Sequence, residues 1–189
     1  MNYSVLGTSM QRESTKSSGF TIIELMIAIA VLSVLLSIAV PSFRQFLVST
    51  RLTSQANQLV SDLAFARNEA GTKSRNVIMC IAATSTTCAT SGTDWAAGWI
   101  IWSDVNGNSS LDAATEILRY APPLEGSVSA ALSGFTSNTS LIFRPYGGLP
   151  SNAGGPGVFK ICEANELNGR QISIPYTGRA TATRISNCP

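Results

Sequence analysis

An apolar run of 21 residues, Phe20 to Val40, contains a single charged residue, Glu24, close to its start. The run is long enough for a helix to cross a bilayer, which takes about 20 residues. A carboxylate at membrane depth is costly, so its presence predicts a function and a partner. Cleavage after Gly19 would create that partner, a new amino terminus on Phe20. We therefore expect a membrane-spanning helix, and the residues after Val40 suit one globular domain.

Charge and residue types exclude several classes of function. The formal net charge is only +2, which does not predict a polyanion partner, and charged residues make up only 13% of the chain. The sequence has no histidine, which excludes Ser-His-Asp and Cys-His catalysis. Walker A and G-x-G-x-x-G motifs are absent as well. We therefore expect no enzyme activity, no cofactor and no resident metal.

The four cysteines predict disulfides in an exported domain. Cys80 and Cys88 lie eight residues apart, and Cys162 and Cys188 frame the carboxy-terminal region. Four cysteines allow three pairings, of which we favour Cys80–Cys88 and Cys162–Cys188. The first bond would close a short loop, and the second would hold the end of the chain on the domain. Zinc is disfavoured, because there is no C-x-x-C pair and no histidine.

The apolar run continues into an amphipathic segment, so we expect one helix from Phe20 to about Ala70. Pro41 removes one backbone donor, which predicts a break or loosened turn there. Gly71 is the predicted C-cap, because glycine adopts the left-handed conformation that ends helices. An apolar stripe at helical spacing would face the domain, with Arg51, Gln55, Asp62 and Arg67 around it. The stripe consists of Leu52, Ala56, Leu59, Leu63, Ala66 and Ala70.

Strand and turn signals replace the helical pattern after Gly71. A helical half followed by a strand-rich half predicts an α+β fold, with the amphipathic half-helix packed on one antiparallel sheet. Of the tryptophans, Trp99 is expected in the core, and Trp95 is undecided. The predicted strands are Asn76–Ala82, Trp99–Trp102, Ile117–Tyr120, Leu141–Phe143, Gly157–Cys162, Arg170–Ile174 and Ala180–Ile185.

The segment Asp104–Glu116 combines acidic and amide side chains, which are the ligands that calcium prefers. The register of an EF-hand is wrong, however, because Gly107 stands at loop position 4 and Thr115 at position 12. An Asn/Asp-Gly turn between two strands explains the same residues, and we favour it.

The string GFTIIELMIAIAVLSVLLSIAVPSFRQF resembles the class III signal of type IV prepilins and type II secretion pseudopilins. Gly19 matches the residue before the cleaved bond, and Phe20 matches the first mature residue, which that family N-methylates. Glu24 matches the acidic fifth residue of the mature chain, and Pro41 matches a proline within the helix. The resemblance implies a prepilin peptidase as a partner, and pilin or pseudopilin subunits as assembly partners.

The resemblance also implies a location. We expect a single-pass protein of the inner membrane, with a cytoplasmic leader and a periplasmic carboxy-terminal domain, that is assembled into a pilus or pseudopilus. Arg12 and Lys16 against Glu13 give the leader a weak positive excess, which favours the cytoplasmic side. The expected segments are a leader (1–19), a transmembrane half-helix (20–41), an amphipathic half-helix (42–71) and a β-rich periplasmic domain (72–189).

The second half is similar to FimT/FimU-type minor pilins, whose domain is shared with the GspH pseudopilin. The strings TDWAAGWIIWSDVNG, LIFRPYGG and NGRQISIPYTGRATATRISNC carry this similarity. It implies a subunit of a type IV pilus with a structural, priming or tip role, or alternatively a pseudopilin of type II secretion.

A third possibility is a DNA-binding minor pilin for DNA uptake. Some FimT-type proteins bind DNA through a Gly-Arg-x-Arg motif. Gly178 and Arg179 match its first half, but Thr181 replaces the second arginine. Arg170 and Arg184 are the candidates for completing a basic patch, because no acid occurs after Asn168. The alternative is that these arginines are solvated side chains at a strand edge.

Overall fold

A computed structural model describes residues 19–150 and 156–188, so the predicted leader lies outside the described residues except for Gly19. One helix, α1 (Ile22–Lys73), precedes eight strands, which confirms the α+β class. Single-turn helices lie at Trp95–Ala97 and Ala114–Glu116. The strands are β1 (Val77–Ile81), β2 (Trp99–Ser103), β3 (Ile117–Ala121), β4 (Val128–Ser133), β5 (Ser140–Phe143), β6 (Gly157–Glu163), β7 (Gly169–Ile174) and β8 (Thr181–Ile185).

The strands form two sheets, where the sequence predicted one. The first sheet has the order β3-β2-β1-β5 and the second β4-β6-β7-β8, and all strand pairs are antiparallel. Strand β4 was not predicted at all. Its sequence, VSAALS, lacks the aromatic residues and most of the β-branched residues that mark strands. Its pairing with β6 makes it the first strand of the second sheet.

The described residues divide into two units, with the boundary between Phe43 and Arg44. In the second unit, which we call the head, all six residues of the predicted helical stripe are buried. They share one hydrophobic core with the inner faces of both sheets, including Trp99, Phe143, Phe159 and Ile172. Burial of each large apolar side chain stabilises the fold by about 1.5–3 kcal/mol, so this shared core holds helix and sheets together.

Strands β1 and β2 are buried along their whole length. One face contributes to the main core, and the other forms a second cluster with Ile78, Cys80, Ile100 and Trp102. Partly buried residues such as Leu111 and Ile142 pack against this second cluster. Burial on both faces explains why WIIW is continuously apolar and does not alternate.

One prediction about the helix was wrong. Gly71 is not its C-cap, because the helix continues to Lys73 and Ser74 takes the left-handed φ of 51°. The amide of Arg75 then donates to the carbonyl of Ala70 at 3.3 Å, which ends the helix. The helix continues through Pro41 without ending there, and the loosened turn expected at this proline stays a prediction.

Candidate functional site

The start of α1 contains the predicted cleavage and assembly residues. The amide of Glu24 donates to Oγ1 of Thr21 at 3.3 Å, and the amide of Leu25 donates to the carbonyl of Thr21 at 3.1 Å. Thr21 therefore caps the helix. The T-x-x-E spacing of Thr21 and Glu24 is a capping-box signature that could have been recognised in the sequence. Phe20, at 86% exposure, precedes this cap, so the Gly19–Phe20 bond lies outside the helix.

The carboxylate of Glu24 has no hydrogen-bond or ion-pair partner among the described residues. It lies in the first turn of α1, where the helix dipole favours a negative charge. The first turn also places this carboxylate near the amino end of the chain that cleavage after Gly19 would create. The arrangement leaves Glu24 available for a positive charge that the described residues do not supply.

The described part of the first unit, residues 19–43, is mostly apolar and exposed on every side of the helix. Every side chain from Phe20 to Leu47 is exposed. Three serines within this segment donate back to carbonyl groups of the helix, Ser33 to Ala30 at 2.8 Å, Ser37 to Val34 at 2.7 Å and Ser42 to Ile38 at 3.3 Å. Of the described residues, α1 is the one helix long and apolar enough to cross a membrane. A helix that is apolar all round belongs in lipid or among other helices.

The four cysteines form two disulfides, with the predicted pairing. Cys80 is bonded to Cys88, and Cys162 to Cys188, and both pairs have Cα atoms 5.7 Å apart. The first bond joins β1 to the loop after it, and the second joins β6 to the end of the chain after β8. Closure of a 26-residue separation by the second bond holds the carboxy-terminal hairpin on the sheet.

The structure does not bring the predicted basic residues into one exposed patch. Arg170 is buried, at 4% exposure, and points at the helix. Its Nη2 donates to Oγ1 of Thr53 at 2.7 Å and to both oxygens of Ser49 at 3.1 Å. Burial lowers the pKa of the Arg170 guanidinium from its ordinary value, and the positive charge of Arg184 lowers it further. The prediction that Arg170 supplies a charge for DNA was therefore wrong, because its guanidinium is used inside the head.

Gly178 and Arg179 follow the β7 strand in a tight turn. The amide of Gly178 donates to the carbonyl of Pro175 at 2.8 Å, and Gly178 has a φ of 74°. A Cβ atom at Gly178 would lie 2.6 Å from the carbonyl oxygen of Gly147, so the turn requires glycine on structural grounds alone. Arg179 is exposed, and its side chain has no hydrogen bond or ion pair to the described residues.

The carboxylates of the Asp104–Glu116 segment accept hydrogen bonds from groups within the same segment. The carboxylate of Asp104 is buried and accepts the amides of Gly107 at 2.8 Å and Ser109 at 3.1 Å. Asp112 accepts side-chain amides from Asn106 at 2.8 Å and Asn108 at 2.7 Å. Within residues 19–150 and 156–188, no group of three or more His, Cys, Asp or Glu side chains is placed to hold a metal. These contacts agree with the favoured turn.

Sequence patterns missed a polar cluster in the core. Asp62 was expected at the polar side of the helix, yet it is 3% exposed. It accepts the indole N–H of Trp99 at 2.9 Å and forms an ion pair with Arg119, whose guanidinium lies 4.0 Å from the centre of the Phe65 ring.

Trp95, which the sequence left undecided, is also buried and donates to the carbonyl of Asn138 at 2.8 Å. All these contacts are structural, so the tryptophans form no binding platform.

Comparisons with known families agree with this architecture. The family described as Type II transport protein GspH matches residues 55–178, which is more than half of the chain. The prokaryotic N-terminal methylation motif matches residues 14–40, a range that includes Gly19, Phe20 and Glu24. No curated protein matches the chain significantly.

Solved structures give the same fold. The chain is similar to the type IV minor pilin FimU of Pseudomonas aeruginosa strain PAO1, with 26% identity and a TM-score of 0.56. That match covers 76% of this chain and 96% of the FimU chain. FimU in a second crystal form matches with 27% identity and a TM-score of 0.52, covering 73% and 97% of the two chains.

Proposed function

Because the chain belongs to the GspH family and carries a prepilin methylation motif, we propose that it is a minor pilin of the FimT/FimU type. It acts in type IV pilus assembly as a structural, priming or tip subunit. The observation that supports this most directly is a capped apolar helix, exposed on every side, in a chain whose head matches FimU. Such a helix has to be buried by lipid before assembly and by other helices after it.

Processing is the first step of the proposed function. A prepilin peptidase cleaves between Gly19 and Phe20 and methylates the new amino terminus of Phe20. The exposed Gly19–Phe20 bond precedes the Thr21 cap, so cleavage does not require the helix to unwind. Before cleavage the subunit lies in the inner membrane with a cytoplasmic leader (1–19), a membrane-spanning half-helix (20–41) and a periplasmic head.

Assembly depends on Glu24 in this proposal. Its carboxylate neutralises the positive amino terminus of Phe20, in its own chain or in a neighbouring subunit. An ion pair in a low-dielectric environment is much stronger than in water, provided that both charges are present. The pair would also set the register between helices that otherwise have only apolar contacts. Partner subunits are other pilins of the same fibre.

Substitution of Glu24 by alanine tests this role. We expect Glu24→Ala to be cleaved and methylated normally, because Thr21 still caps the helix through its side chain. The variant should be missing from sheared fibres, since the amino-terminal charge loses its partner. Glu24→Gln serves as the control that keeps the shape and removes the charge, and it should fail in the same way. Incorporation of either variant at the native level would contradict the assignment.

A pseudopilin of type II secretion is the second candidate, and the GspH family match favours it. The two functions are separated by deleting the gene and measuring fibre-dependent movement and protein export in parallel. Loss of pili with normal export supports the pilin, whereas loss of export with normal pili supports the pseudopilin.

DNA binding has less support than the sequence offered. Burial of Arg170 leaves Arg179 and Arg184 as the candidates for contacts to phosphate. With two such contacts, the logarithm of the binding constant should fall with the logarithm of the salt concentration with a slope of about −2 at most. We expect little binding of duplex DNA by the head at physiological salt. Micromolar binding that is lost in Arg179→Ala would overturn this expectation.

A further inference from the structure

Strand β8 is the outer strand of the second sheet, and one of its edges pairs with no described strand. Four of its five residues, Thr181 to Arg184, are exposed, which means that both faces of the strand are open. Unpaired edge strands offer amide and carbonyl groups to another chain, and proteins normally cover or disrupt them. β8 is neither covered nor bulged among the described residues.

The helix-facing side of the second sheet is buried at β7 and exposed at β8. Arg170 and Ile172 of β7 are 4% and 0% exposed and face the helix and the main core. Their direct partners across the strand pair are Arg184 and Ala182, which therefore lie on the same face but are exposed. The helix-facing side of β8 is thus an open ledge beside the buried surface.

The ledge carries an uncompensated positive charge. Arg170 and Arg184 lie directly opposite each other, and like charges in that position destabilise a strand pair. The bonds of Arg170 go to uncharged oxygens of Ser49, Thr53 and Gly169. No carboxylate within residues 19–150 and 156–188 forms an ion pair with either arginine. The pair of charges is therefore unfavourable in the isolated head.

We propose that β8 is a docking edge for an extended acidic segment of a neighbouring subunit. The segment pairs its main chain with the free edge of β8 and places a carboxylate on the ledge beside Arg184. A strand is favoured over a nucleic acid, because a strand pairs with both the amide and the carbonyl groups of the free edge, whereas phosphates accept from the amides only. The small side chain of Ala182 leaves room for the segment's side chains next to the helix. This inference rests on the proposed assembly function.

Photo-crosslinking of the full-length chain in the bacterium that produces it tests the proposal. A benzophenone amino acid replaces Ala182, and the matched control carries it at Tyr120, on the edge strand β3 of the other sheet. We expect position 182 to crosslink to another pilin-type subunit, at a peptide with Asp or Glu within two residues of the crosslink. Arg184→Glu should reduce this product by about tenfold, because a close interfacial charge pair becomes a repulsion. Arg184→Lys should retain it.

A reciprocal substitution completes the test. Replacing the mapped partner carboxylate by arginine should restore crosslinking in the Arg184→Glu variant. The proposal is overturned by a product insensitive to Arg184→Glu, by a product with DNA, or by no more product at position 182 than at position 120. If the chain reaches sheared fibres and position 182 gives no product, this inference alone fails. If the chain never reaches fibres, the proposed function fails and this inference fails with it.

Discussion

At the scale of single residues, some charged side chains have partners inside the fold and others have none. This difference separates structural residues from those that can bind another subunit. Asp62 accepts from Trp99 and pairs with Arg119, so its carboxylate is fully used inside the fold. Arg170 is used in the same way against Ser49 and Thr53. Glu24, Arg179 and Arg184, in contrast, have side chains without a hydrogen bond or ion pair to any described residue. These three side chains are therefore among those available for partners, whereas Asp62 and Arg170 are structural.

Removal of the Asp62 carboxylate should destabilise the head strongly. In Asp62→Ala, the buried indole N–H of Trp99 loses its acceptor and Arg119 loses its counter-ion. We expect the free energy of unfolding of the head, residues 44–189, to fall by about 2–4 kcal/mol in a denaturant titration. Ser61→Ala, at the exposed neighbouring position of the helix, is the control and should change it by less than about 0.5 kcal/mol. Equal effects of the two variants would contradict the buried cluster.

Arg184→Ala should have the opposite effect on stability. The substitution removes the like charge opposite Arg170, so the head should become more stable by about 0.2–1 kcal/mol. The gain should shrink as salt is raised, because ions screen exposed charges. Burial and the positive charge of Arg184 lower the pKa of the Arg170 guanidinium. Arginine side chains keep their charge in proteins, so the gain should not depend on pH between about 5 and 9. Thr183→Ala is the control, and a loss of stability in Arg184→Ala would contradict the repulsion.

At the scale of elements, the turns between strands depend on backbone conformations that only glycine tolerates well. Gly178 and Gly92 both have positive φ, 74° and 108° respectively. They differ in their surroundings, since a Cβ at Gly178 meets the Gly147 carbonyl and one at Gly92 meets nothing within 4 Å. The two positions therefore separate backbone strain from steric overlap.

Alanine at each glycine measures that difference. We expect Gly92→Ala to cost about 1 kcal/mol of unfolding free energy, from backbone strain alone. Gly178→Ala should cost about 3 kcal/mol or more, because the 145–149 loop or the 175–178 turn must also move. Thermal unfolding of the head followed by circular dichroism reports both. Equal costs would show that the turn at Gly178 accommodates a Cβ atom without added strain. Steric overlap would then not explain why this position is glycine.

The same elements show which features sequence patterns can predict. The helical stripe was predicted because its periodicity depends on neighbours along the chain, and the disulfide pairing because four cysteines allow only three pairings. Strand β4 was missed because its small side chains are held by β6, some 30 residues away. The division into two sheets was missed for a similar reason, since strand order depends on contacts distant in sequence. The role of Asp62 could not be predicted, because the helical pattern does not show that Trp99 and Arg119 reach it.

At the scale of the whole molecule, one chain combines an apolar exposed helix segment with a well-packed, disulfide-bonded head. The head has its own core, because every residue of the main hydrophobic cluster lies after Phe43. The exposed apolar segment contributes nothing to that core and is explained by a membrane and by packing among subunits. The account therefore depends on processing at the start of this segment.

Intact-mass and peptide mass spectrometry of the protein recovered from sheared fibres tests that central claim most directly. We expect a mature chain that begins at N-methylated Phe20 and retains both disulfides, Cys80–Cys88 and Cys162–Cys188. Gly19→Val, with a bulky residue before the cleaved bond, should leave the chain unprocessed in the membrane and absent from the fibres. A chain in the fibres that begins at Met1, or that begins after Val40 and so lacks the apolar segment, would contradict the account.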